Sequence, residues 1–258
     1  MRDPGLQQVI RTAGGVRGLS RLLGISQPAV SSWTRVPADR ILQVESLTGV
    51  PRFLMRPDLY GGTAMEQALD PIEQARAEEY ALLGVLLQAA PGKDLLSGLS
   101  RLKGDTSALG AAHSQLGIAA SSTKAQEIED EFFRLFIGLG RGELMPYGSY
   151  YLTGFVYERP LARLRQDLAQ FGIERADDEI EPEDHAAIIC EIMAGLCARR
   201  FHAPAGSDET MFEKHVAPWL GRFFTDLSQA ETAKFYRHVG ALGRAFIEIE
   251  TEALALTG

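Results

Sequence analysis

Apolar residues recur at helical spacing from one end of this chain to the other, and no run alternates apolar and polar residues as a half-buried strand would. Ile72, Ala75, Tyr80, Leu83 and Leu87 fall near one stripe, and Ile128, Phe132, Leu135 and Phe136 near another. The spacing predicts an all-α chain. Four short helices are expected at residues 5–13, 16–23, 27–35 and 38–48, punctuated by Gly14-Gly15, Gly24 and Pro37. Longer ones are expected at 72–89, 105–123, 125–137, 149–170, 182–200, 208–226 and 230–255, with residues 138–148 a glycine-rich loop.

Charge divides the chain at about the same place as helix length. Residues 1–60 hold 8 Arg and no Lys against 4 Asp/Glu, a net of +4. The remaining 18 Lys/Arg and 30 Asp/Glu give residues 61–258 a net of −12, which sums to the total of −8. A basic module of residues 1–60, a linker at 61–71 and an acidic module of 72–258 follow from this split, with partners of different charge for each. No apolar run of about 18 residues is present, and the N-terminus lacks a signal core, so a cytoplasmic protein is expected. Cys190 and Cys197 lie about two helical turns apart and read as buried thiols. The five histidines show no ligand spacing, and no Gly-x-Ser-x-Gly, Walker, His-Glu-x-x-His or Cys-x-x-Cys motif occurs. The chain is expected to be no enzyme and to hold no metal and no cofactor.

Residues 16–35 fit a helix-turn-helix. Gly24 stands where the turn needs a left-handed backbone, Leu19 and Leu23 precede it on the inner face, and Ile25, Val30 and Trp33 follow. Ser20 is small enough for a close crossing, Ser26 can cap the second helix, and Pro28 suits its first turn. Gln27, Ser31, Ser32 and Arg35 then face outward. Gln27 suits adenine, Arg35 suits guanine or phosphate, and Arg17, Arg21 and Arg40 are phosphate candidates. With Val36-Pro37-Ala38 and Arg56-Pro57-Asp58 beside these residues, the stretch resembles the Cro/YdaS-like helix-turn-helix family. A module that packs or pairs with protein, without DNA affinity, is the competing reading.

In the acidic module two strings stand out: Pro146-Tyr147-Gly148-Ser149-Tyr150-Tyr151, and Glu181-Pro182-Glu183-Asp184-His185 opening an apolar helix. Pro182 is placed in the first helical turn, with Glu183 and Asp184 at the positive end of the dipole. Together with Glu131-Phe132-Phe133-Arg134-Leu135-Phe136, Glu191, Met193, His215, Trp219, Phe235-Tyr236 and Phe246-Ile247-Glu248, these strings resemble the TorD/DmsD/NarJ family of redox-enzyme maturation chaperones. The resemblance implies a TorD-like helical bundle binding the Tat leader, or a folding intermediate, of a molybdenum-containing oxidoreductase subunit. It implies a client site at Tyr147, Ser149, Tyr150, Glu181, Pro182, Asp184, His185 and Glu191. Asp177, Asp178, Glu179, Glu181, Glu183 and Asp184 offer counter-charge to the paired arginines of such a leader. Ala186-Ala187 and Ile192 stand where the family usually has leucine, which implies a differently shaped pocket. Two roles remain side by side: a client-specific chaperone with an auxiliary DNA-binding-like module, or a transcriptional regulator whose larger module senses unfilled client. A homodimer is compatible with either.

Overall fold

The structure, a computed structural model, describes residues 3–50, 52–56, 59, 69–175, 180–201 and 203–256. Every regular element among them is helical, and one isolated antiparallel bridge joins Tyr147 to His185. The chain divides into two units, Met1–Leu69 and Asp70–Gly258. No described helix is long and apolar enough to cross a membrane.

The smaller unit contains α1 (Pro4–Thr12), α2 (Val16–Leu23), α3 (Gln27–Ser31), a 3-10 turn (Ala38–Arg40), α4 (Ile41–Thr48) and α5 (Arg52–Met55). Leu6, Val9, Leu19, Leu23, Val30, Val36, Ile41, Val44, Val50 and Met55 form its core, with Ile25 and Trp33 packed at the edge. Gly24 takes φ 65°, and the Ile25 N–H reaches back to the Ser20 carbonyl at 3.0 Å, closing α2 as the sequence requires. Ser26 Oγ accepts from the Ala29 N–H at 3.4 Å and caps α3. The second helix is shorter than its expected 27–35 span. Ser32 Oγ donates to the Ala29 carbonyl, Trp33 N–H closes a tight turn on Val30, and Asp3 N–H ties Thr34 to the start of α1. Arg35 therefore lies beyond the helix. Most of the expected linker, with Pro57 and Asp58, lies outside the described residues.

The larger unit runs through α6 (Pro71–Gln88), α7 (Lys93–Leu99), α8 (Ala108–Ser122), α9 (Ala125–Phe132), α10 (Gly148–Thr153), α11 (Arg159–Gln170), α12 (Ala186–Cys197), α13 (Ser207–Met211), α14 (Leu220–Gln229) and α15 (Tyr236–Ala255). π-helical turns at Phe133–Ile137 and Phe212–Val216 extend α9 and α13. Asp70 and Glu73 cap α6 reciprocally, each accepting a backbone N–H from the other's turn. Helix α12 buries every residue except Glu191, so it is the centre of the bundle rather than a surface helix. It packs on α6, where a Cβ at Gly84 would lie 3.3 Å from the Ala187 carbonyl. Helices α14 and α15 approach as closely, since a Cβ at Gly243 would lie 2.4 Å from the Phe224 ring. Cys190 and Cys197 are free and buried, and burial pushes the Cys197 thiol up to about 12.

Four expected helices differ. The 149–170 segment is two helices, because Gly154 adopts φ 83° and ends α10 before Arg159-Pro160 restarts the pattern. The 208–226 segment is interrupted between the π turn and α14. The helix expected from Pro182 starts at Ala186: His185 is its N-cap, with Nδ1 accepting from the Ala187 N–H at 3.2 Å. Pro182 instead accepts through its carbonyl from the His185 N–H at 2.9 Å, in a turn preceding the helix. Helix α7 was not anticipated, and residues 230–235 are a connection rather than helix.

Candidate functional site

The start of α10 and the start of α12 are held together by backbone. Gly148 N–H donates to the Asp184 carbonyl and Ala186 N–H to the Pro146 carbonyl, both at 2.8 Å, which forms the Tyr147–His185 bridge. The two rings meet edge to face with centroids 5.2 Å apart. Asp184 Oδ2 accepts from the Ser149 N–H at 2.7 Å, so this buried carboxylate caps a helix belonging to another part of the chain. Tyr147 Oη donates to Glu181 Oε2 at 2.8 Å, and burial together with that carboxylate pushes its phenol up. Six of the expected residues, Tyr147, Ser149, Glu181, Pro182, Asp184 and His185, are thus gathered by one local construction. Tyr150 follows on α10 and its hydroxyl accepts from Arg141 at 2.7 Å. Glu191 is apart from them, in a smaller cavity of about 210 Å³ with Arg175, Glu183 and Ile192.

A cleft of about 770 Å³ opens beside this construction, between α10, α11, the start of α12 and the π turn at 212–216. Its apolar lining is Leu152, Pro160, Leu164, Ile189, Pro218 and Trp219. Trp219 is fixed by its Nε1 donating to the His215 carbonyl at 2.7 Å, and Gly148 packs closely against the ring, where a Cβ would lie 3.0 Å from Nε1. The charged lining holds three cations, Arg159, Arg163 and Lys214, and three carboxylates, Asp167, Asp184 and Glu213. The cleft is therefore bipolar rather than acidic. Asp167 accepts from His215 Nε2 at 2.7 Å and Lys214 Nζ at 3.3 Å. Burial opposes its charge, yet these partners hold its carboxyl below the usual range.

The acidic run is engaged within the fold where it is described. Glu183 receives a bidentate Arg165 at 2.9–3.0 Å, which outweighs burial and lowers its carboxyl, while Asp184 and Glu181 take the bonds given above. Asp177, Asp178 and Glu179 lie outside the described residues. Two buried polar atoms on the cleft lining, Ser149 Oγ and Asp184 Oδ1, have no hydrogen-bond partner among the described residues. Unsatisfied buried polar atoms are uncommon in native folds.

On the smaller unit, Arg17, Arg21, Gln27, Ser31, Ser32 and Arg35 are exposed. Arg17 Nε donates to Gln27 Oε1 at 3.2 Å, linking the two helices of the motif through their outward side chains. Arg40 sits in the 3-10 turn, held by Gln43 at 3.0 Å and Asp39 at 3.6 Å.

Comparison with known proteins agrees with this division. Residues 102–225 match the family model "Nitrate reductase delta subunit", and residues 6–64 match "Bacterial toxin YdaS". "Chaperone protein TorD" of Shewanella pealeana is 22% identical over 210 residues, covering 72% of this chain and 92% of that protein. The larger unit is similar to the TorD/DmsD/NarJ family. A second relative, "Probable Tat proofreading chaperone DmsD" of Haemophilus influenzae, is 29% identical over 119 residues, 45% of this chain and 57% of its own. Matches to several Vibrio TorD proteins span 62%, 64% or 65% of the relative's length. A crystal structure of a candidate redox-enzyme maturation protein from Archaeoglobus fulgidus superposes with a TM-score of 0.46 at 20% identity, covering 68% of this chain and 93% of that one.

The TorD-like domain places several residues in its cleft that sequence reasoning did not assign to a site: Arg159, Arg163, Asp167, Lys214 and His215. His215 and Trp219 carried the family resemblance without a role. In the structure the π turn brings His215 onto Asp167 and its carbonyl onto the indole. π-helical turns recur at functional positions, but no residue pattern in 212–216 announces one.

Proposed function

We propose that this protein is a cytoplasmic maturation chaperone that binds the twin-arginine leader, or a folding intermediate, of a molybdenum-containing oxidoreductase subunit, and that the cleft between α10, α11 and the 212–216 turn receives it. The reading is supported by relatives named as TorD and as a Tat proofreading chaperone. The observation that carries it is a cleft lined by both apolar and charged side chains, with two buried polar atoms, Ser149 Oγ and Asp184 Oδ1, that have no partner among the described residues. Such a cleft suits a peptide carrying cationic and apolar side chains close together. Calorimetry with synthetic twin-arginine leaders from the host's molybdoenzymes tests it. Asp184→Asn keeps an acceptor for the Ser149 N–H and removes the charge, so affinity should fall by about 10-fold with the fold intact. If no leader binds, or if the variant binds as the wild type does, the cleft is not the client site.

A second activity, DNA binding by the smaller unit, is favoured by the pre-set turn at Gly24, the Ser26 cap and the Arg17–Gln27 link. In this reading the chain also acts as a regulator responsive to client, working as a pair on a two-fold site. Binding to DNA from its own gene neighbourhood should weaken steeply with salt, and Arg17→Ala with Gln27→Ala should abolish sequence preference. Equal affinity for all sequences in the wild type would leave the unit without a reading role.

A further inference from the structure

The shortness of α3 narrows what the smaller unit can present outward. Arg35 lies beyond the helix, and Ser32 Oγ is engaged with the Ala29 carbonyl at 2.7 Å. Within α3, Gln27-Pro28-Ala29-Val30-Ser31, Gln27 is the only amide and the longest polar side chain. A glutamine amide carries an accepting oxygen on one side and a donating NH2 on the other, so what it reads depends on which way it is turned. An unrestrained amide turns both ways.

Gln27 is restrained. Arg17 Nε, on α2, donates to its Oε1 at 3.2 Å. A guanidinium has five N–H donors and no acceptor, so this bond forms in one orientation only, with Oε1 toward Arg17 and Nε2 away from it. Turning the amide over would set donor against donor. Capacity remains on both partners. Gln27 Oε1 keeps a second lone pair, Nε2 keeps both hydrogens, and Arg17 Nη1 and Nη2 have no partner among the described residues. In the major groove adenine sets an acceptor, N7, beside a donor, its N6 amino group. Gln27 Nε2 and the spare lone pair of Oε1 match that arrangement. Guanine has O6 where adenine has its amino group, which would bring two carbonyl oxygens face to face.

We propose that Arg17 is a positioning residue for base recognition: its Nε locks the Gln27 amide in the orientation that reads adenine, while its Nη groups remain for a neighbouring phosphate. The proposal rests on the DNA-binding reading above. Two properties then separate, since the hydrogen bond to Gln27 sets base preference and the charge sets salt-dependent affinity. Arg21 provides the comparison. It is exposed one turn further along α2, and its guanidinium makes no hydrogen bond or ion pair among the described residues, so it offers the charge without the link.

The test uses the full-length protein and a randomised duplex library, whose enriched sequence becomes the probe for fluorescence anisotropy. The position read by Gln27 is the one whose preference Gln27→Ala loses. Changing an A·T pair there to G·C should weaken wild-type binding by about 10-fold or more. Arg17→Ala should reduce that discrimination to about 2-fold or less, and should lower the slope of log affinity against log salt by roughly one. Arg21→Ala should lower the slope equally and keep the preference. Arg17→Gln decides between bond and charge, because its Nε2 is attached to Cδ as the arginine Nε is and can donate to Gln27 without a charge. It should restore the adenine preference at reduced, less salt-sensitive affinity. All three positions are exposed, so the variants should melt with the wild type. If the library yields no enriched sequence, the DNA reading and the positioning role fall together. If a sequence is enriched but Arg17→Ala keeps the preference, or Arg17→Gln loses it, the positioning role is overturned and the DNA reading stands. Any base other than adenine at the Gln27 position overturns it as well.

Discussion

Glu131→Ala should destabilise the larger unit by about 3–5 kcal/mol, because one buried carboxylate serves three backbone donors. Glu131 is 2% exposed at the end of α9, and its two oxygens accept from the N–H groups of Lys234, Phe235 and Tyr236 at 2.8, 3.1 and 2.7 Å. Those donors open α15, a 20-residue helix whose first N–H groups have no partner of their own. The charge also faces the positive end of the helix dipole. Alanine would remove the acceptor and leave buried N–H groups unpaired, which costs more than the bonds themselves contributed. The larger unit's calorimetric transition should fall by roughly 10 °C. Glu131→Gln keeps one carbonyl oxygen and turns a donor toward the same N–H groups, so its loss should be intermediate. A Glu131→Ala variant melting within a degree or two of wild type would mean that water or a rearranged turn satisfies α15 equally well.

Glu131 also shows which parts of this architecture can be read from a chain alone. Helix content was legible because amphipathic spacing is local, and the Gly24 turn and Ser26 cap were legible because each depends on one residue and its neighbours. The break at Gly154 was open to the same reasoning, since a glycine followed by Arg159-Pro160 is a stop and a start, but the apolar spacing of 149–170 masked it. The strings around Tyr147 and His185 were visible as strings. Their meeting was not, because the bonds joining Gly148 and Ser149 to Asp184 span 36 and 35 residues and depend on how α10 and α12 dock. Asp184 read as an acid at the positive end of its own helix, yet it caps a different one. Cleft-lining cations such as Arg159 and Arg163 were invisible for a simpler reason: an exposed arginine on an amphipathic helix looks the same whether it borders a cleft or open solvent.

The same long-range logic gives the second large effect. Arg76→Ala should cost about 3–5 kcal/mol by stranding a carboxylate in the core. Arg76 on α6 donates to Glu250 on α15 through Nε and Nη2 at 2.8–3.1 Å, and to Asp208 on α13 through Nη1 at 3.0 Å. Tyr80 Oη adds a further donor to Glu250 at 3.1 Å. Burial works against the guanidinium charge, but the bonds to Glu250 and Asp208 outweigh it and raise its affinity for the proton. Glu250 is 3% exposed, so it has little access to solvent once its partner is gone. Removing both charges should be far less damaging than removing one. Arg76→Met with Glu250→Met should recover most of the loss, since a packed apolar pair carries no desolvation penalty. A double-mutant cycle on the full-length protein measures this directly by chemical denaturation. A coupling energy near zero would mean that the pair contributes only as separate side chains, and that α6, α13 and α15 are joined by apolar packing alone.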